Sequence, residues 1–91
     1  MLPVVWSAAA LEAADAIADY ISLDNPDAAD RISARLFEAT AALATHGTAY
    51  RPGRITGTRE MVVTPSYIVV YRIDPDAVRI LNVLHTARRY P

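Results

Sequence analysis

Residues 58–85 read TREMVVTPSYIVVYRIDPDAVRILNVLH, and the punctuation inside this stretch decides the fold. Thr58–Thr64 is rich in β-branched residues and stops at Pro65-Ser66. Tyr67–Ile73 stops at Asp74-Pro75-Asp76, and Val78–His85 follows at once. Proline presets a turn dihedral, and Ser and Asp bond their own backbone, so both interruptions are tight turns. Three strands joined this closely run antiparallel as a meander. The apolar density of Tyr67-Ile68-Val69-Val70-Tyr71 marks the middle strand, covered on both faces.

Upstream, Thr48-Ala49-Tyr50-Arg51-Pro52-Gly53-Arg54 is a loop broken by Pro and Gly. Two helical patterns precede it. Ser7 stands at an N-cap position, and Leu11, Ala14, Ile17, Ala18 and Ile21 recur at helical spacing, with Glu12, Asp15 and Asp19 on the other face. Asn25-Pro26-Asp27 restarts the helix: Asn caps, Pro fits the first position, and Asp sits at the positive end of the dipole. Ala29, Ile32, Leu36, Ala39 and Leu43 then alternate steps of three and four up to His46, where Gly47 is expected to stop the helix in a left-handed conformation. Asp27 and Arg31, at i and i+4, are expected to pair. The short connection makes the two helices antiparallel. Leu2–Trp6, apolar and β-branched, is a first strand. The expected architecture is one α+β domain over residues 1–91: an N-terminal strand, then a two-helix hairpin packed on a small antiparallel sheet, in the order β-α-α-β-β-β. The helices cover one face of the sheet. Trp6 and Tyr71 are expected in the core.

Composition bounds the function. The 91 residues are 53% hydrophobic, above the usual share for a soluble domain, and alanine supplies much of it. A chain this short buries a modest fraction of its surface, so a permanent partner covering apolar area is expected. There is no cysteine, hence no disulfide and no thiolate zinc site; with only two histidines, far apart, no metal is expected. No apolar run reaches the length of a membrane span, so no membrane partner is expected and a cytoplasmic address is the default. Nucleophile elbows, phosphate-binding glycine loops and dinucleotide fingerprints are missing, so no cofactor is expected.

The net charge of −1 hides an asymmetry. Residues 1–46 hold two arginines against seven acidic residues, a net of −5; residues 47–91 hold seven arginines against three, a net of +4. Every basic residue is arginine, whose planar fork suits carboxylate or phosphate. GC-rich codon usage explains arginine over lysine but not its concentration in the second half. Arg51, Arg54, Arg59, Arg72, Arg79, Arg88 and Arg89 are therefore the candidate residues for gripping another macromolecule. A nuclease alternative gathers Arg59, His85, Arg88 and Tyr90, with Glu60 or Tyr90 as proton partner to His85. Metal-free RNA cleavage wants a base for the 2′-OH, an acid for the leaving oxygen and cations for the phosphorane. This reading supposes that the start of the second strand and the end of the fourth approach one another.

The order of these pieces resembles the RelE/ParE family of bacterial toxins from type II toxin–antitoxin pairs. The likeness is carried by Asp24–Ala29, Arg51-Pro52-Gly53-Arg54, Gly57-Thr58-Arg59-Glu60, Tyr67-Ile68-Val69-Val70-Tyr71-Arg72 and Val83–Arg89, and it covers essentially the whole chain. It implies a cytoplasmic bacterial toxin neutralised by a ParD- or RelB-like antitoxin. RelE-like members cleave mRNA on the ribosome, and their third strand commonly carries an arginine where this chain has Ile68. ParE-like members, which poison DNA gyrase, commonly carry an aliphatic residue there and an ending like His85-x-x-Arg88-Arg89. The resemblance thus favours the ParE-like branch, which needs no catalytic residues of its own. A ribosome-dependent endoribonuclease is the alternative, and a toxin that retains only antitoxin binding a third. Family antitoxins often have acidic tails, so Arg72→Glu or Arg79→Glu is expected to weaken the complex.

Overall fold

The computed structural model describes residues 1–87. Arg88, Arg89 and Tyr90, named above as candidates, lie outside the described residues. A three-residue strand β1 (Val4–Trp6) leads into helices α1 (Ala8–Ser22), α2 (Pro26–Ala41) and the single turn α3 (Leu43–His46). After a 3-10 turn at Gly47–Ala49 come β2 (Arg51–Pro52), β3 (Arg59–Thr64), β4 (Tyr67–Ile73) and β5 (Val78–His85).

Both helix starts follow from local chemistry. The Ser7 hydroxyl accepts the Ala10 N–H at 3.0 Å, and Asn25 Oδ1 accepts the Ala28 N–H at 3.1 Å, so each cap satisfies a donor with no partner inside the helix. The long second helix breaks after Ala41. There the buried Thr40 hydroxyl donates to the carbonyls of Leu36 and Phe37, a back-bond that bends helices. Gly47 is not the left-handed stop the sequence suggests: its φ of −58° is right-handed. Its smallness serves packing instead, because a Cβ there would lie 3.0 Å from Ile73 Cδ1.

The five strands form one sheet in the order β1-β5-β4-β3-β2. The antiparallel meander β3-β4-β5 is as expected, with β4 central. β1 joins it parallel to β5 through the pairs Val4–Val78 and Trp6–Ile80, so the full sheet is mixed. β1, β3 and β5 share one direction, and β2 and β4 run the other way. The junction is pinned by the Ser7 N–H to Ile80 O at 3.0 Å and the Ser7 hydroxyl to Leu81 O at 3.2 Å. In β5, Val70 faces Asn82 while Tyr71 faces Ile80, leaving Leu81 as a bulge. Alternation therefore changes phase there: Val78 and Ile80 point toward the helices before the bulge, and Val83 and His85 after it.

α1 lies over β5 and α2 reaches β3. The core between the layers joins Ala10 and Ala14 of α1, Leu36 of α2 and Leu43 of α3 with Met61, Val69, Tyr71, Val78, Ile80 and Val83 of the sheet. Truncating a fully buried leucine such as Leu36 removes contacts worth about 2–5 kcal/mol. α1 is turned from the expected face: Leu11 is 42% exposed while Ala10 and Ala14 are buried, since small side chains let the helix approach β5 closely. Tyr71 is core as expected; Trp6 is half-buried and packs at a tilt of 41° against Phe37, ring centroids 4.6 Å apart. Ion pairs among the described residues include Arg51–Glu60, Arg72–Asp74, Arg79–Asp74 and Arg79–Asp76, whereas the expected Asp27–Arg31 pair does not form. Ordering two exposed side chains for a surface pair gains almost nothing in water.

Candidate functional site

The sheet presents one face to the helices and leaves the other uncovered. Three rows cross this open face. Val62, Ile68 and Leu84 pair across β3, β4 and β5 as an aliphatic row. Arg51, Glu60, Val70 and Asn82 form the next row, and Arg72, Arg79 and Val5 the third. The face thus grades from apolar at the Pro65-Ser66 turn to charged at the Asp74-Pro75-Asp76 turn. Val62 is 52% exposed, which leaves the aliphatic row accessible.

Among the described residues, Arg51, Arg59, Arg72 and Arg79 are committed to partners within the chain. Arg72 forks onto Asp74, Nε to Oδ1 at 2.7 Å and Nη2 to Oδ2 at 3.0 Å. Arg79 reaches the same carboxylate through Nε at 2.9 Å and Asp76 through Nη2 at 2.9 Å. The bond from Arg72, joined by Arg79, holds the Asp74 carboxyl below its ordinary 3.8. Arg59 points to the helix side, where Nη1 donates to the carbonyls of Tyr50 at 2.8 Å and Thr48 at 3.4 Å, tying the 3-10 turn to the sheet. Arg51 pairs with Glu60, Nη2 to Oε1 at 3.1 Å.

Glu60 is a charged residue only 5% exposed on a face no helix covers. The loop between β2 and β3 explains this, because it folds over the carboxylate. The Arg54 N–H donates to Oε2 at 3.4 Å, and the loop closes through the Gly53 N–H to Thr58 O at 2.7 Å. Two glycines permit the turn. A Cβ at Gly53 would lie 2.2 Å from Thr58 Oγ1, and Gly57 sits at φ +87°. Buried carboxylates are tolerated when paired and bonded in this way. Arg54 is exposed on this loop beside Ile55.

His85 stands at the far end of the helix side. Its ring meets Tyr67 edge-on, centroids 5.3 Å apart, and Nδ1 accepts the Ala87 N–H at 3.0 Å. Register separates the nuclease candidates. Arg59 lies across from Tyr71, whereas His85 lies across from Tyr67, four residues along β4 and so roughly 13 Å away along the strand. Glu60 and His85 are on opposite faces. The start of β3 and the end of β5 therefore do not converge. Among the described residues no cluster of three or more His, Cys, Asp or Glu could hold a metal, and no helix is long and apolar enough to cross a membrane. Sequence reasoning missed the aliphatic row and a groove between α1 and the end of β5, lined by Ala13, Ala16, Ile17, Tyr20, Tyr67 and His85. Both depend on a register that two strand irregularities set.

Comparison with known proteins gives this arrangement its relatives. Residues 4–90 match the family model described as "ParE toxin of type II toxin-antitoxin system, parDE". A Sinorhizobium fredii protein named "Putative toxin Y4kP" is 46% identical over 94% of this chain and 90% of its own length. "Toxin RelE2" of Caulobacter vibrioides is 39% identical over 97% of this chain and 99% of its own. Among solved structures, a chain of the chromosomal ParDE system from P. aeruginosa superposes with a TM-score of 0.84 at 22% identity, covering 93% of this chain and 96% of that one. A chain of the E. coli DinJ-YafQ toxin-antitoxin complex gives 0.67 at 16% identity, covering 99% and 98%. These last two likenesses bear on the fold.

Proposed function

Because the chain belongs to the ParE toxin family of type II toxin–antitoxin systems, we propose that it is a toxin which binds and inhibits DNA gyrase and is neutralised by a ParD-like antitoxin. The observation that carries this reading is the aliphatic row Val62–Ile68–Leu84. A ribonuclease must bring cations to a phosphate whose charge grows in the transition state. Three aliphatic side chains offer none, and they suit the apolar centre of a protein interface. Arg59 is taken up by carbonyls, and Glu60 and His85 face away from each other, so proton transfer through that pair has no shared site. A poison of gyrase needs no such site, because the target makes the DNA break.

The 39% identical relative named RelE2 is the reason to carry translation as the second arm of the test. The purified chain is added to gyrase with relaxed plasmid and ATP, and in parallel to a ribosome reaction with a defined mRNA. Loss of supercoiling with accumulation of cleaved DNA, and intact mRNA, is the expected result. Cut mRNA with undisturbed supercoiling would overturn the reading in favour of a ribosome-dependent endoribonuclease.

A further inference from the structure

The two oxygens of the buried Glu60 carboxylate hold different segments. Oε1 takes Arg51 of β2, through Nε at 3.2 Å and Nη2 at 3.1 Å, and Oε2 takes the backbone N–H of Arg54 at 3.4 Å. One side chain of β3 thus fastens both the edge strand and the start of the 53–58 loop. Thr58 closes the other end of that loop. Its N–H and its hydroxyl both donate to the Ile55 carbonyl, at 3.1 and 2.6 Å, while its own carbonyl accepts the Gly53 N–H at 2.7 Å. Residue 55 is therefore braced from both sides in a stretch that has no helix or strand of its own.

The side chain held in this frame is apolar. Ile55 is 49% exposed. The turn itself does not call for isoleucine: its conformational demands are met by Gly53, Gly57 and Thr58, and turns favour small or polar residues over branched aliphatic ones. The loop also stands beside the aliphatic row. Glu60, beneath the loop, and Val62, half exposed, point to the same face of β3 and lie roughly 7 Å apart along the strand. Other large exposed apolar side chains, such as Leu11, Leu23 and Phe37, belong to the helical layer. This corner of the open sheet thus carries two exposed branched aliphatic side chains, one on a strand and one on a braced loop.

We infer that the 53–58 loop is a second anchor for the target, with Ile55 entering an apolar socket on gyrase next to the contact made by Val62, Ile68 and Leu84, and that Glu60 is its positioning residue. The inference deepens the gyrase reading above and rests on it. A loose loop loses conformational freedom when it binds, and that loss subtracts from affinity; a loop already fixed keeps most of what its buried side chain contributes. The carboxylate is suited to this in a way an amide is not. Glutamine has one acceptor oxygen, so at position 60 its NH2 would face either Arg51 or the Arg54 N–H, donor against donor.

The test titrates the full chain into a gyrase supercoiling reaction and reads the half-inhibitory concentration for wild type, Ile55→Ala, Glu60→Gln and the double variant. Ile55→Ala should raise that concentration about tenfold, and Glu60→Gln about fivefold. With the loop already loosened by Glu60→Gln, adding Ile55→Ala should cost only about threefold more, whereas a Glu60 that merely stabilises the fold leaves the two effects multiplicative. Hydrogen exchange gives a second readout: the amides of Gly53, Arg54 and Thr58 should exchange faster in Glu60→Gln while that of Val69 in β4 stays protected. Leu23→Ala, an exposed apolar truncation at the end of α1, is the control and should stay within about twofold. An Ile55→Ala chain that inhibits like wild type, or that loses antitoxin affinity instead, would overturn the anchor. Strictly multiplicative effects, or unchanged exchange in the loop, would overturn the role of Glu60. A wild-type chain that leaves gyrase untouched would sink the target reading itself.

Discussion

The Tyr71 hydroxyl sits inside the core and donates to the carbonyl of Gly47, joining β4 to the turn after α3. Tyr71→Phe keeps the ring and leaves that carbonyl without its donor, so urea unfolding should show a loss of about 1–2 kcal/mol. Burial pushes the phenol above its ordinary 10.0, with Arg59 pulling the other way. The unfolded chain then ionises first. The bond's contribution is complete below pH 10.0 and is lost as pH rises through the higher folded value. Wild type should therefore lose more stability than Tyr71→Phe above that pH. The arginines make the opposite point about legibility. Their types and numbers are plain in the sequence, but their partners are not. Arg59 and Arg51 are adjacent to a loop of the same composition, yet one turns inward to the carbonyls of Thr48 and Tyr50 and the other outward to Glu60. Strand alternation decides which, and it needs the register.

Between β2 and β3 the chain makes a closed loop whose geometry two glycines allow. Gly57 adopts φ +87° with open space around it, so Gly57→Ala meets no clash but must hold a left-handed conformation. That costs about 1–2 kcal/mol, and thermal unfolding of the variant should report it. Elements of this kind set what a sequence makes readable. Both N-caps, the Pro26 restart, the meander and the central place of β4 were legible, because each depends on residues a few positions apart. The parallel seat of β1, the rotation of α1 that exposes Leu11 and the reason for Gly47 were not. Those follow from close approach between layers, which local pattern does not encode. The candidate site divides the same way: Ile68 was singled out from its strand, while its neighbours Val62 and Leu84 came only with the cross-strand pairs.

Seen whole, the molecule has two layers with different surfaces. The open sheet carries an aliphatic row, and an apolar groove runs between α1 and the end of β5. If the target meets that row and the antitoxin docks elsewhere, one substitution should separate the two activities. Ile68→Arg adds a charge to the middle of the open row, at a half-buried position that tolerates a long side chain reaching water. Gyrase inhibition should fall about tenfold or more, as expected for a charge at the centre of an apolar contact, while antitoxin affinity holds. The paired measurement of supercoiling and antitoxin binding checks both halves of that statement. The bulge at Leu81 bears on the history of this arrangement. β5 carries one residue more than β4 requires, and each cross-strand partner from Tyr67 to Ile73 is assigned without it. A lineage that dropped the Leu81 codon would keep every one of those pairings, with Val83 and His85 still beneath α1 and Leu84 still beside Ile68. It would give up only the local bend and the carbonyl that holds Ser7. Gaps in an alignment ordinarily fall in loops; the register of β5 would accept one inside a strand.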